Sequence, residues 1–279
     1  MAFINPKLKY WLFAMVCVAL MTQHKSYAGG LPVRPGSLIL SPSIGYFFAN
    51  KEWDSLRVKK PFDQNGHFTS ITYSLYAELG LSKRFSLVAS LPYVISDYQQ
   101  DNFKSHAQGL TDLETGLKYY LANINYIYYF NLQGTVITPL YTDLNLGYKE
   151  TGAELKLSFS GSGSMLGTHF YFSVEDGIRQ YFGSQGPIQD RYNGTFGISL
   201  SKKQQVALSI GGFYSASSFT SFTPIPASNK NFAFNQASIS YGYSFTRRFS
   251  VFLNAGMFIN GRNTGAGSSG SASLILRPF

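Results

Sequence analysis

The sequence predicts an all-β protein: a transmembrane, antiparallel, up-and-down β-barrel of about twelve strands, set in an outer membrane. Three observations carry the prediction. From Ser37 to Phe279 the chain is a run of short segments in which apolar and small polar residues alternate. Very short and clearly longer connections take turns between them, and an export leader precedes them all. Successive side chains of a strand point to opposite faces, so each such segment has one greasy and one wet side. A soluble sandwich alternates too, but the leader and the loop rhythm point to a closed barrel that is apolar outside and polar within.

Residues 1–28 read as a signal peptide. Lys7 and Lys9 form a basic start, 11–21 is an apolar core too short for a comfortable membrane span, and Ser26-Tyr27-Ala28 supplies small residues for cleavage near Ala28. Cys17 suggests a lipoprotein, but Ala14-Met15-Val16 lacks the small residue that normally precedes such a cysteine. Without Cys17 the remaining chain has no cysteine, which excludes disulfides and thiolate metal sites. Residues 29–279 then form one barrel domain, with no second apolar stretch long enough for a spanning helix. The formal net charge is +9, and the leader removes Lys7, Lys9 and Lys25 from it. A mild basic excess suits anionic lipid headgroups or anionic solutes, or is simply the charge of solvated turns. The basic residues are dispersed and the compartment is wrong for nucleic acid.

In order, the alternation gives strands at 37–48, 67–79, 85–97, 111–121, 126–139, 151–161, 168–182, 191–201, 206–219, 233–245, 249–260 and 270–279. The second is the clearest. Ile71, Tyr73, Leu75, Ala77 and Leu79 share one face; Ser70, Thr72, Ser74, Tyr76 and Glu78 share the other. Connections near 80–84, 122–125, 162–167, 202–205 and 246–248 are short; those near 49–66, 98–110, 140–150, 183–190, 220–232 and 261–269 are mostly longer. Barrels of this class place short turns on the periplasmic side and long loops outside, and an even strand count returns both ends to the periplasm.

Three short turns repeat one design. Ser82-Lys83-Arg84, Ser201-Lys202-Lys203 and Thr246-Arg247-Arg248 each set a hydroxyl beside a basic pair between apolar strand ends. They read as headgroup or partner contacts, or as solvated hairpin tips. Aromatic residues gather near strand ends. Phe85, Tyr119, Tyr126, Tyr128, Phe170, Phe245 and Phe249 lie at the short-turn end; Phe47, Phe48, Tyr98, Tyr141, Phe182, Tyr192 and Phe219 lie at the other. Interfacial girdles use such rings because they tolerate both lipid and water.

Arg84-Phe85-Ser86-Leu87-Val88-Ala89-Ser90-Leu91-Pro92-Tyr93-Val94, followed by Gly109-Leu110-Thr111-Asp112-Leu113-Glu114-Thr115-Gly116-Leu117-Lys118-Tyr119, carries a family resemblance. The pair resembles the transporter-type, porin-like outer-membrane barrels grouped as the "MetA-pathway of phenol degradation" family. In that family a strand ending Leu-Pro-Tyr precedes a Gly-x-x-Asp-x-x-x-Gly-x-Lys-Tyr strand. The resemblance implies a channel or transporter in the outer membrane of a Gram-negative cell.

The terminal Phe279 is the expected contact with the barrel assembly machinery. By strict alternation it shares a face with Arg277, Ile275 and Ser273, so Pro278 is expected to make a bulge that turns it toward lipid. Alternation also puts Glu78, Asp112, Glu114, Lys118, Glu154, Lys156, Glu175 and Arg179 on the interior, where charge avoids the lipid. Interior positions that are small include Ser74, Ser90, Gly116, Ser158, Gly177, Gly197, Gly211, Ser240, Gly242 and Gly256. These either leave a narrow wet passage open or make room for neighbouring rings. The charged residues are expected either to line that passage and set its selectivity, as wet pairs contributing about 0–1 kcal/mol each, or to neutralise one another and stiffen the barrel wall.

The expected function is therefore passage of small solutes, hydrophobic or aromatic ones among them, with outer-membrane lipid around the barrel. The alternatives are a barrel enzyme, such as a lipid hydrolase, and a structural or adhesive barrel without transport. His67, His106 and His169 remain after the leader, and none shares a strand with a recognisable nucleophile motif. No catalytic residue, metal site or cofactor is expected.

Overall fold

A computed structural model describes residues 33–278 apart from 166, 184–185 and 218–228; the expected leader and Phe279 lie outside these. The chain forms fourteen β segments: β1 (Leu38–Trp53), β2 (Lys59–Pro61), β3 (His67–Gly80), β4 (Phe85–Gln100), β5 (Phe103–Leu110), β6 (Asp112–Ile124), β7 (Tyr128–Pro139), β8 (Gly152–Met165), β9 (Thr168–Tyr181), β10 (Ile188–Ser199), β11 (Gln204–Ala216), β12 (Ala233–Ser244), β13 (Phe249–Arg262) and β14 (Thr264–Leu276). Twelve of them close into one antiparallel barrel, each bonded to the next in chain order and β14 to β1. The other two are additions at the loop end. β2 lies along the end of β1, and β5 runs beside the upper part of β4 above β6.

Closure explains why the alternation is so regular. A strand in a closed wall has no free edge, so its only choices are lumen and outside. Tyr73 and Leu75 point outward and are 46% exposed, while Glu78 between the same neighbours points inward and is 5% exposed. Leu87, Leu117, Leu155, Ile178, Leu208 and Leu253 continue the exposed apolar belt around the wall. A contiguous belt of that extent is covered by lipid.

The three repeated turns share one hydrogen-bond pattern. The Ser82 hydroxyl accepts from the backbone N–H of Arg84 and Phe85, Ser201 from Lys203 and Gln204, and Thr246 from Arg248 and Phe249. The hydroxyl is therefore part of the hairpin's own construction, satisfying N–H groups that the ladder leaves open. A fourth turn, Asn125-Tyr126, places both residues at positive φ, 54° and 56°, as a two-residue hairpin whose twist matches its strands requires.

Outward rings at this short-turn end pack in cross-strand pairs. Phe85–Tyr119 (4.8 Å between centroids), Phe130–Phe159 (4.7 Å) and Phe245–Phe249 (5.3 Å) belong to this girdle. The loop end differs from expectation. Phe47 and Tyr98 are turned into the lumen and Tyr141 reaches the interior Asp112, so that girdle keeps only part of its predicted membership.

Two expected loops are strands. Within 98–110, β4 continues to Gln100 and turns back through β5, pairing Gln100 with Phe103. Within 261–269, the connection between β13 and β14 shrinks to Asn263, at φ 50°. Both segments lack alternation for physical reasons. β5 rises beyond the belt with polar residues on both faces, and β14 has no side chain larger than threonine from Thr264 to Ser273. That small-residue stretch closes the barrel against β1, with Gly270 opposite Tyr46 and Gly267 opposite Ala49.

Candidate functional site

Two cavities in the lumen have no lining residue in common. One, of about 1340 Å³, occupies the short-turn end, and the other, of about 1000 Å³, the loop end. Between them lies a network of paired charges, built from β6, β8, β9 and β10.

Arg179 on β9 is the hub. Its Nε donates to Glu154 Oε2 at 2.6 Å across the β8–β9 ladder, where the two residues are register partners. Its Nη2 donates to Glu114 Oε1 at 2.5 Å, reaching past β7 and β8 to β6. Arg191, inward on β10, donates to Glu154 Oε2 at 2.9 Å and lies 3.8 Å from Glu114. Two guanidinium groups thus face two carboxylates, a neutral cluster in which each planar donor fork finds acceptors. The Arg179 and Glu154 side chains are each only 5% exposed, so this pair is buried rather than wet. Such a pair contributes little net stability when intact, yet its disruption strands a charge.

The other expected interior residues join smaller sets. Lys118 Nζ lies 3.2 Å from Glu78 Oε1, and the Tyr76 hydroxyl donates to Glu78 Oε2 at 2.9 Å. Lys156 and Glu175 are 3.8 Å apart and more open. Asp112 accepts from Tyr141 at 3.0 Å and Tyr181 at 3.3 Å. The 140–151 connection folds inward over this group: Asp143 caps its short 3-10 turn, and Tyr148 packs edge-on to Tyr181 with centroids 4.9 Å apart. Burial pushes the hydroxyls of Tyr141 and Tyr148 well above the ordinary tyrosine range, which keeps both as hydrogen-bond donors.

Among the described residues the opposite wall, β11 to β14 with β1, carries one ion pair, Glu52 with Lys60 at 3.4 Å, set at the loop end of β1. Its inward positions include Ser209, Ser240, Asn254, Ser271 and Ser273. Gln236, Asn254 and Ser269 are exposed although they face the interior, so water reaches this wall. Several interior glycines instead seat rings: the space above Gly197 is taken by Tyr171, above Gly242 by Phe252 and above Gly267 by Phe47.

Toward the loop end this wall turns aromatic. Phe213, Phe234 and Phe258 stack in sequence, with centroids 5.1 and 4.2 Å apart; Phe258 meets Phe47 at 5.2 Å, and Phe47 meets Phe68 at 6.2 Å. The Arg191 guanidinium lies 4.6 Å from the centre of the Phe213 ring, so the row ends on the charge network.

Sequence reasoning missed Arg191, Tyr141, Tyr148, Tyr181 and the phenylalanine row. Arg191 was within reach, since it keeps step with the interior Gly197; setting the strand to begin at 191, where β10 starts at Ile188, hid it. The phenylalanines were not, because an apolar ring on a barrel strand reads as lipid-facing.

His169 Nδ1 lies 2.9 Å from Ser164 Oγ on the exposed short-turn rim, and among the described residues no carboxylate completes the pair. Nor do the described residues hold a cluster of three or more metal-ligating side chains.

No family model and no curated protein matches the chain by sequence. Solved structures do match. The COG4313 outer membrane channel from Pseudomonas putida F1 superposes with a TM-score of 0.69 at 12% identity, covering 91% of this chain and 100% of that one. The translocator domain of the autotransporter NalP from Neisseria meningitidis gives 0.52 at 11% identity, covering 97% and 96%. The NanC porin gives 0.52 at 8% identity, covering 85% and 98%. At these identities the likeness is one of fold, and the fold is that of an outer-membrane barrel.

Proposed function

We propose that this barrel is an outer-membrane channel that passes small hydrophobic or aromatic solutes through a narrow lumen. The observation that carries the reading is the row Phe213–Phe234–Phe258–Phe47–Phe68, a run of mutually packed rings turned to a water-accessible interior instead of to lipid. A flat solute entering the loop-end cavity exchanges water for contact with a succession of ring edges, each aromatic contact worth about 0.5–1.5 kcal/mol. Neighbouring sites of similar strength allow entry without trapping. Beyond the row the solute follows the serine- and glycine-lined wall, while the charge network fills the other side. The similar channel and porin structures support this reading, as does the resemblance of 84–94 and 109–119 to the phenol-degradation family of barrels.

In this reading the short turns face the periplasm, the leader is removed near Ala28, and Phe279 is presented to the assembly machinery. Reconstitution of the refolded barrel in planar bilayers tests it. Discrete ion steps, partly blocked by a small aromatic solute, are expected. Silence with lipid hydrolysis would favour a hydrolase built on Ser164 and His169; silence with neither would favour a structural barrel.

A further inference from the structure

We propose that Arg34, Arg247, Arg248 and Arg277 form a binding site for small, multiply charged anions in the short-turn cavity. All four line that cavity and are exposed to it. Every other basic side chain lining the same cavity is matched: Lys118 with Glu78, and Lys156 with Glu175. The remaining lining carboxylate, Glu114, is held by Arg179. Among the described residues, then, these four arginines line one space and none of them forms an ion pair. Arg248 and Arg277 are held side by side by the barrel itself, through the Arg277 N–H donating to the Arg248 carbonyl at 2.9 Å.

Clustered cations without counter-charge repel one another, and a concave low-dielectric wall strengthens their field on a mobile ion. Guanidinium groups match the paired oxygens of carboxylate and phosphate, which sets the ligand class.

The other two basic turns do not contribute. Arg84 turns outward to the Tyr119 hydroxyl at 3.2 Å, and Lys202 and Lys203 lie outside the cavity lining. One of three similar turns has thus been brought to the lumen, by its place beside β14.

The test is calorimetric titration of the refolded full-length barrel in neutral micelles with inorganic pyrophosphate at low ionic strength. The wild type should bind, and Arg248→Gln/Arg277→Gln should weaken binding at least tenfold while keeping heat-modifiable migration. Lys202→Gln/Lys203→Gln, which removes the same charge from another turn, should bind as the wild type does. Equal affinity in all three proteins, or equal loss in both variants, would overturn the site. Phosphatidylglycerol added to the micelles should not compete; competition would move the site to the membrane face. Because binding is read without conduction, a barrel that fails to conduct tells against the channel and leaves this result to stand or fall alone.

Discussion

The two walls of the lumen solve the same problem in opposite ways. From β6 to β10 the inward face carries the charged residues, and the most buried of them are spent on one another: Arg179 alone holds carboxylates from two other strands. From β11 round to β1, inward residues are mostly small, uncharged or aromatic, with Glu52 entering at the loop end, and water reaches Gln236, Asn254 and Ser269. Charge inside a pore is usually read as selectivity. Here the buried cluster around Arg179 and Glu154 behaves as a brace, while the outlying pairs Lys118–Glu78 and Lys156–Glu175 border the short-turn cavity.

The largest effect expected from this contrast follows removal of the hub. Arg179→Gln leaves Glu154 buried with Arg191 as its remaining partner, and should destabilise the barrel by about 3–5 kcal/mol, read as a lowered urea midpoint in lipid vesicles. A change under about 1 kcal/mol would return the network to the class of wet pairs.

Lys118→Gln probes the more open end of the same wall. It leaves Glu78 with Tyr76 as its partner, and a loss of about 1–3 kcal/mol is expected, with conductance shifted toward cations. Unchanged ion preference in a conducting channel would remove Lys118 from the passage.

On the other wall, Phe258→Ala should leave conductance near that of the wild type. It should weaken block by a small aromatic solute by roughly two- to tenfold, the worth of one aromatic contact at about 0.5–1.5 kcal/mol.

Smallest in stability, and most direct as a comparison, is Asn254→Asp. A charge added where water already reaches should cost within about 0.5 kcal/mol and yet turn the channel toward cations. If it instead costs as much as Arg179→Gln, the two walls do not differ as described.

The sequence made one of these walls far more legible than the other. Charged residues cannot face lipid, so Glu78, Asp112, Glu114, Lys118, Glu154, Lys156, Glu175 and Arg179 were singled out from alternation alone. What alternation could not supply was partnership. Arg179 and Glu114 are 65 residues apart and meet only because β7 and β8 stand between their strands in a curved wall. Phe47 and Tyr98 were placed in an outward girdle because ring chemistry alone does not distinguish a lipid face from a lumen. The barrel and its twelve strands were legible for the same reason the loop-end hairpins were not. The membrane imposes a period on whatever crosses it, and β5 and the upper part of β14 carry no such imprint.

The first ten residues of β14 have a consequence for motion. Elsewhere, neighbouring strands are clasped by cross-strand pairs such as Phe85 with Tyr119, but from Thr264 to Ser273 the last strand offers only small side chains to either neighbour. Apart from the Phe47 ring over Gly267, the junction with β1 is held there chiefly by its backbone ladder. Local opening is cheapest where few side chains must separate. Amide hydrogens along Gly265–Ser273 should therefore exchange with deuterium sooner than those at the centres of β3 or β9, making the first-to-last strand junction the place where the cylinder breathes.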